Sequence, residues 1–183
     1  RDTSGFLRRS YSILEKGLTH GVAKAYERSP WVRRVERVHK QFPNELRIEL
    51  ELRRPYACIK VGERSYLVDR DGVVLDPAIF KVPQGGLPRP VVRISYATAE
   101  PRIGAVWTKR EPGVAMALDM LRYIDDKENV FGHLGVSAVE VRRESLVRGR
   151  DRWLALRTRV GTEIWWGGSP FRGVTDDGSE PAP

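Results

Sequence analysis

The side chains in this sequence that could do chemistry are three histidines, one cysteine and a few closely spaced carboxylates. The histidines His20, His39 and His133 share no short spacing of the kind that brings metal ligands together. Asp125 and Asp126 are neighbours that could transfer protons, but no glycine-rich or aromatic segment lies near them in sequence to build a cleft. A single cysteine, Cys58, excludes an internal disulfide framework and cysteine-rich zinc sites.

The segment Asp69-Arg70-Asp71-Gly72 resembles the beginning of a calcium-binding loop. Its glycine comes too early, and no glutamate follows at the distance at which such loops place their bidentate ligand. An Asp-Gly dipeptide between apolar residues is typical of a hairpin turn, which is the interpretation we prefer. The sequence also contains no nucleophile elbow, no zinc-protease motif and no phosphate-binding loop. We therefore expect no catalytic residue, no metal site, no cofactor and no enzymatic activity.

The clearest binding feature is a pair of tryptophans in the segment 162–168, which alternates as a strand does. Neighbouring residues on a strand point to opposite faces, so we expect one tryptophan in the core and the other facing outward. An outward tryptophan on a late strand is a candidate anchor for a partner. Coverage of both rings by a predicted helix or a loop is the alternative. The candidate partner-binding residues are Glu163, Ile164, Trp165, Trp166 and Gly167.

The first third of the chain predicts two helices followed by two strands. Leucine and isoleucine alternate with charged residues from 45 to 53, which indicates a strand, and a partner strand is predicted over 33–40. A second helix is predicted from the N-cap Thr19 to a stop before Pro30, with an inner stripe of Val22, Ala25 and Tyr26. The first helix is predicted from a stripe that ends near Gly17 and consists of Leu7, Tyr11, Leu14 and Leu18.

The remainder predicts short strands and one long helix. Strands flank a turn at Gly62-Glu63, a hairpin follows at Asp71-Gly72, and the proline-rich segment 76–112 predicts a loop containing one strand at 90–97. The long helix is predicted over 113–125 and a loop over 127–135. Strands are then predicted at 136–143, 152–160 and 162–168. The acidic, proline-containing residues 171–183 predict a disordered tail.

The net charge of +8 raises the question of an acidic partner such as nucleic acid. The outward face of the strand at 45–53 argues against such a partner, because a surface that binds phosphates should be uniformly basic. That face alternates acids with bases, namely Glu45, Arg47, Glu49, Glu51 and Arg53. We therefore interpret it as a solvated face and expect no nucleic-acid partner.

Several of these elements in series resemble the FtsQ/DivIB family of bacterial cell division proteins. The family's POTRA domain shows a helix ending in Pro-Trp-Val, an aromatic-Pro turn, an alternating strand and then Arg-x-Pro-x-Ala. The corresponding residues in this chain are Pro30, Trp31, Val32, Phe42, Pro43, Leu46 to Leu52, Arg53, Pro55 and Ala57. The hairpin YLVDRDGVVLDP and the strand pair RWLALRTRVGTEIWWGG are similar to later signatures of the family, and the likeness covers about residues 20–168.

The resemblance implies a non-enzymatic scaffold that recruits other septal division proteins, including coiled-coil membrane partners. It implies an extracytoplasmic (periplasmic) location, with a single-pass anchor in the inner or cytoplasmic membrane that lies outside this chain. Recruitment would occur by protein–protein contacts, and β-strand addition is the mode we expect. A POTRA-type protein that holds substrates during outer-membrane assembly or secretion is the alternative.

The predicted fold is α+β. A small POTRA-like domain, with helices on a short sheet, occupies residues 1–56, and its first strand is expected to be missing. A mixed α/β domain with a mostly antiparallel sheet occupies residues 57–170, before the tail at 171–183. The family usually continues with a helix and a final strand, so the edge carrying Ile164 to Trp166 is expected to be the exposed one.

Overall fold

The computed structural model describes residues 9–80, 87–95, 97, 100–142 and 153–171, without the side chains of 128–130. The chain forms two compact units, residues 1–54 and residues 55–183. Residues 172–183, most of the predicted tail, lie outside the described part of the chain, and so does Leu7 of the first predicted helix.

The first unit is a helix packed on a two-stranded antiparallel sheet. It consists of helix α1 (Leu18–Glu27) and strands β1 (Val32–Gln41) and β2 (Glu45–Leu52). The helix buries Leu18, Val22 and Ala25, which fall on one stripe because the α-helix repeats every 3.6 residues. Both predicted strands and the second predicted helix are therefore confirmed.

The first predicted helix is wrong over its described part. Residues 9–17 form turns, and Leu14 of the expected apolar stripe is 81% exposed. The Ser12 hydroxyl accepts a hydrogen bond from the Leu14 amide, and its carbonyl accepts one from Glu15, so local bonds compete with the helix. Gly17, expected to end this helix, instead precedes α1 at φ 79°, a left-handed conformation that glycine adopts readily, and it replaces Thr19 as the N-cap.

The outward face of the first sheet carries several arginine–glutamate ion pairs. Arg33 and Arg34 both contact Glu51, at 3.0 and 2.9 Å, and Arg47 contacts Glu49 at 3.5 Å. These side chains are largely exposed, so each pair contributes little to stability. The bases on this face are matched by acids, as the alternation in the sequence indicates.

The second unit is a seven-stranded mixed sheet with helices on one face, which confirms the predicted α+β class. The strand order is β5-β4-β3-β6-β7-β8-β9. The strands β3–β9 run over Ala57–Val61, Arg64–Val68, Val74–Leu75, Val91–Ile94, Val136–Arg142, Trp153–Thr158 and Glu163–Gly167. Only β3–β6 and β6–β7 are parallel pairs, so the sheet is mostly antiparallel as predicted.

Helix α2 (Pro112–Asp126) covers the middle of this sheet and confirms the predicted helix. The Glu111 side chain caps it by accepting a hydrogen bond from the Gly113 amide at 3.4 Å, which satisfies one of the free amides of the first turn. The buried stripe of the helix packs into one core with the sheet. That core includes Val114, Ala117, Leu118 and Leu121 from the helix and Ile59, Val92, Val139, Leu154 and Leu156 from the strands.

The predicted loop at 127–135 is wrong, because a short helix, α3 (Glu128–Leu134), begins there. Phe131 in this helix is buried and packs edge-on against Tyr123 of α2, with ring centroids 5.8 Å apart. Burial of that ring supplies stability that the local sequence does not indicate. Gly135, at φ 56°, then ends the helix in the left-handed conformation common at helix ends.

The segment from Asp69 to Val73 forms a turn, as the hairpin interpretation predicts. One Asp69 carboxylate oxygen accepts hydrogen bonds from the amides of Asp71 and Val73, at 3.0 and 2.8 Å. This pattern, in which an aspartate accepts from an amide two residues ahead, is a standard way to stabilise a tight turn. It brings β5 back alongside β4.

Candidate partner-binding edge

Strand β9 is one edge of the seven-stranded sheet. Its residues pair only with β8 in the described part of the chain, with Ala155 opposite Trp165 and Arg157 opposite Glu163. The turn before it contains Gly161, and the strand ends at Gly167, whose φ is 100°. The outer side of β9 therefore presents main-chain groups that no described strand occupies.

The opposite edge, β5, is covered by the chain itself. The Val74 amide donates to the Ala105 carbonyl at 3.1 Å, and the Val74 carbonyl accepts from the Gly104 amide at 2.8 Å. An isolated bridge joins Val73 to Val106. The segment 104–106 thus takes the position that an added strand would occupy at that edge.

On its helix-facing side, β9 contributes to a cluster of four aromatic rings. Trp166 lies 5.5 Å from Tyr123 of α2 and 6.1 Å from Phe131 of α3, measured between ring centroids. Phe171, just beyond the strand, lies 6.0 Å from Tyr123. These are the spacings and tilted geometries that aromatic pairs prefer. Trp166 remains 38% exposed and Phe171 53% exposed, so the cluster has an open surface beside the free edge.

The other side of the sheet carries an arginine–glutamate network behind β9. Arg142 of β7 donates two hydrogen bonds of 2.8 Å to Glu163 and also donates to Glu140. Arg157 of β8 donates to Glu140 at 2.9 Å and to Glu163 at 3.4 Å. An arginine that donates two hydrogen bonds to one carboxylate holds that carboxylate in a defined position. Glu163, on the edge strand, is therefore tied to two inner strands.

A small residue makes this network possible. Ala155 of β8 lies between Glu140 and Trp165 in the cross-strand register and is buried. Because its side chain is a single methyl group, the arginines on either side of it can reach both carboxylates. Arg142 also lies over the Trp165 ring, with its guanidinium carbon 5.4 Å from the ring centroid. This cation–π contact joins the network to the exposed tryptophan.

The network shifts the pKa values of its members. Burial alone would raise the pKa of Glu140, but hydrogen bonds and charge from Arg142 and Arg157 outweigh burial and lower the pKa. Hydrogen bonds to Glu163 and Glu140 raise the pKa of Arg142. Both groups are therefore held in their charged forms, as expected where opposite charges lie in direct contact.

The structure places all five predicted site residues on one strand, but their burial differs from the expectation. Ile164 packs against the core, whereas Trp165 is 53% exposed on the network side and Trp166 faces the helices without being buried. The expectation that one tryptophan lies in the core was wrong. The reason is that β9 is the last strand and has no neighbour to cover its outer side in the described residues.

Several other residues that shape this edge were not singled out in the sequence, among them Arg157 of β8 and Phe171. Tyr123 and Phe131 come from helices, and Glu140 and Arg142 come from β7. Alternation in VSAVEVRR indicates that Glu140 and Arg142 share a face, but nothing local indicates that they meet Glu163. That contact depends on the sheet order.

The residues considered for metal binding do not come together in the described part of the chain. Within the described ranges, no group of three or more histidine, cysteine, aspartate or glutamate side chains could hold a metal ion. Asp125 accepts a hydrogen bond from the Tyr56 hydroxyl at 3.0 Å and contacts Arg89 at 3.1 Å. Burial and this hydrogen bond raise the pKa of Tyr56 to about 12, so its hydroxyl stays protonated and remains a donor to Asp125.

No protein-family model matches the chain, and no curated protein matches it. The resemblance to the FtsQ/DivIB family therefore stays a prediction that rests on the sequence motifs. In the described part of the chain, no helix combines the length and the apolar composition needed to cross a membrane.

Proposed function

We propose that this chain is the extracytoplasmic part of a non-enzymatic scaffold of bacterial cell division, of the FtsQ/DivIB type. In this proposal a membrane anchor outside the chain holds it at the division site, and partners include coiled-coil membrane proteins of the septum. A partner segment adds to the sheet as a further strand beside β9.

The observation that carries this proposal is the difference between the two edges of the large sheet. The β5 edge is bonded to residues 104–106, whereas β9 has no described neighbour on its outer side. An extended segment laid along β9 would gain main-chain hydrogen bonds, and pockets beside alternate residues would give specificity. Trp165 on one side and Trp166 on the other are exposed to such a segment.

The rigid support behind β9 favours binding without rearrangement. Glu163 is fixed by Arg142 and Arg157, and Trp166 is held by Tyr123 and Phe131. Less conformational entropy is lost on binding when the interface residues are already ordered.

The alternative, a substrate-holding role in outer-membrane assembly or secretion, is supported by the first unit. Its described sheet has only β1 and β2, so each strand has one side without a strand neighbour. Phe42, in the turn between them, is 88% exposed. A strand from a client would then add to this small sheet instead of β9.

The test is a calorimetric titration of the chain with peptides from the extracytoplasmic segments of division coiled-coil proteins. Trp165→Ala and Trp166→Ala are compared with Phe42→Ala, which removes a still more exposed aromatic ring from the other unit. We expect a loss of at least about 2 kcal/mol, roughly 30-fold in affinity, for a tryptophan variant that anchors the partner. The Phe42 variant should bind as the parent does.

The outcomes separate the alternatives. Loss of binding only in the Phe42 variant would move the site to the first unit and favour the substrate-holding role. Absence of binding by the folded parent chain to every division peptide would count against the cell-division scaffold.

A further inference from the structure

A cleft of about 550 Å³ opens in the second unit where β6 and β7 begin, beside the last turn of α2 and the short helix α3. We propose that this cleft binds a carboxylate that is carried on an apolar body. Strand β9 contributes no residue to the lining. The proposal therefore does not rest on the partner-binding edge.

Three apolar side chains contribute to the lining of the cleft. They are Ile124 of α2, Phe131 of α3 and Val136 at the start of β7. Phe131 is 7% exposed, and the other two pack against the same core, so the interior of the unit holds all three in place. An apolar group that enters the cleft would be removed from water beside them, whereas a hydrated inorganic ion would gain nothing from these side chains.

Arg89 supplies a fixed guanidinium to the same cleft. Its Nε atom donates to both carboxylate oxygens of Asp125, at 3.3 and 3.1 Å, and its guanidinium carbon lies 4.4 Å from the centroid of the Tyr56 ring. Pro88 and Pro90 on either side of it have restricted backbones. The two terminal amino groups of Arg89 have no hydrogen-bond partner among the described residues. They remain the planar pair of donors that a carboxylate accepts bidentately.

A second cation, Arg159, follows β8 at the cleft. Its amide donates to the Gly135 carbonyl at 2.9 Å, and its side chain forms no ion pair with an acid that the structure describes. The lining thus contains two arginines and one aspartate, and that aspartate already accepts hydrogen bonds from Arg89 and from the Tyr56 hydroxyl. The remaining positive charge favours an anion. The C-terminal ends of α2 and α3 oppose one, so binding should depend on the arginines.

The combination of cations and apolar side chains defines the chemistry of the ligand. A carboxylate bound to Arg89 would have the apolar side chains of the same cleft beside the group that carries it. Fatty acids share this chemistry with the C-terminal residue of a protein that ends in a large apolar side chain. The volume of about 550 Å³ lies within the range of small-ligand sites.

The first test is a titration of the chain with octanoate, acetate and octanol, monitored by the amide chemical shifts in nuclear magnetic resonance. The amides of Gly132 and Gly135 report on the cleft because both glycines line it. We expect octanoate to bind at millimolar concentration or below. Acetate should bind at least about tenfold more weakly, because each buried methylene strengthens binding by up to about fourfold. Octanol keeps the apolar body without the charge and should also bind about tenfold more weakly.

Substitution of the two arginines tests the source of the charge. Arg159→Gln removes no described ion pair, so it should keep the stability of the parent while it weakens octanoate binding about tenfold. Arg89→Gln should weaken binding further but also breaks the contact with Asp125, so circular dichroism must show that it is folded. As a control, Arg102→Gln removes the same charge at an exposed residue outside the lining and should bind octanoate as the parent does.

A short peptide that ends in phenylalanine distinguishes the two sources of the carboxylate. It is compared with octanoate and with the same peptide amidated at its C-terminus. Tighter binding of the peptide acid than of octanoate would support the proposal with a protein C-terminus as the ligand. Tighter binding of octanoate would support it with a fatty acid as the ligand. The amidated peptide should bind weakly in either case.

Three results would overturn the proposal. The first is an absence of shifts at Gly132 and Gly135 with octanoate at millimolar concentration. The second is binding of octanol or acetate as tight as that of octanoate, which would remove the role of the charge or of the apolar body. The third is equal weakening by Arg102→Gln and Arg159→Gln, which would indicate a general attraction of anions to a basic chain. None of these results depends on whether a division peptide binds at β9.

Discussion

The two edges of the large sheet are protected in different ways. At β5 the chain folds back, so that residues 104–106 bond to the edge, and Trp107 is buried beneath at 1% exposure. At β9 the outer side carries no described strand, and the support comes from side chains on inner strands and helices. The β5 edge is therefore closed by main-chain hydrogen bonds, whereas β9 is supported by ion pairs on one face and aromatic contacts on the other.

This difference shows how a sheet can keep one edge available. A free edge strand is a liability because it invites pairing with other chains. In β9 the strand is short and carries Glu163, and it ends at a glycine in a left-handed conformation. These features limit which segments can add to it, whereas the β5 edge needs no such limits.

Of the substitutions considered, the loss of Trp107 beside the closed β5 edge should reduce the stability of the fold most. Trp107 packs edge-on against Tyr66, with ring centroids 5.4 Å apart, and its amide donates to the Gly72 carbonyl at 2.9 Å. Trp107→Ala should lower the free energy of unfolding by about 3–5 kcal/mol, because it leaves a large cavity. Urea unfolding measures this change. A loss no larger than that of Trp165→Ala would remove the distinction between the edges.

Removal of the Glu140 charge from the network beside β9 should lower the free energy of unfolding by less than Trp107→Ala does. Glu140→Gln leaves Arg142 and Arg157 without one of their two carboxylate partners and should cost about 2 kcal/mol at pH 7. Because the folded-state pKa of Glu140 is lowered, its contribution is complete above the unfolded value of about 4.3 and is lost as the pH falls below it.

Urea unfolding at a series of pH values measures this dependence. The difference between the parent and Glu140→Gln should shrink as the pH falls below about 4.3. A difference that stays constant down to pH 2 would mean that the network does not stabilise the fold through this charge.

The segment after β9 should contribute less again. The Ser169 hydroxyl donates to Asp119 of α2 at 3.0 Å, and the other Asp119 oxygen accepts from Arg122 at 2.8 Å. Ser169→Ala should lower the free energy of unfolding by about 1 kcal/mol, because one hydrogen bond at a buried residue is lost. It should also loosen Phe171 against Tyr123, which near-ultraviolet circular dichroism detects. An unchanged aromatic signal would show that the ring cluster holds Phe171 by itself.

The smallest effect on stability is expected for the ring that is proposed to bind most. Trp165→Ala removes an exposed ring and its contact with Arg142, worth about 0.5–1 kcal/mol. The same variant should show the largest change in the binding titration. If Trp165→Ala destabilises the chain as much as Trp107→Ala does, Trp165 contributes to the core and is not an exposed residue available to a partner.

Most of the fold follows from local patterns in the sequence. Alternation located β1, β2 and the strands near the end, and a clear apolar stripe located α2. The stripe through Leu14 misled because Ser12 forms its own turn, and α3 was missed because Phe131 is stabilised by rings from elsewhere in the chain. Periodicity reports which face of a segment is apolar, but not whether a neighbour exists to cover it.

The candidate edge was only partly predictable for the same reason. The sequence indicated a late strand with two tryptophans, but the contacts that support it join β9 to residues 6 to 43 positions away, from Arg157 to Tyr123. Glu140, Arg142 and Arg157 look in sequence like ordinary outward residues. They become a network only because β7, β8 and β9 are neighbours in the sheet. Similarly, the segment 104–106 that covers β5 lies in the part of the proline-rich region for which the sequence predicted only loop.

The closed β5 edge has a consequence for how far an assembly can grow through this sheet. Fibres form when each added molecule exposes a fresh copy of the surface that captured it. Here a molecule that has used β9 offers only the edge occupied by Gly104 and Ala105. Growth through the large sheet should therefore terminate after the addition of one strand at β9.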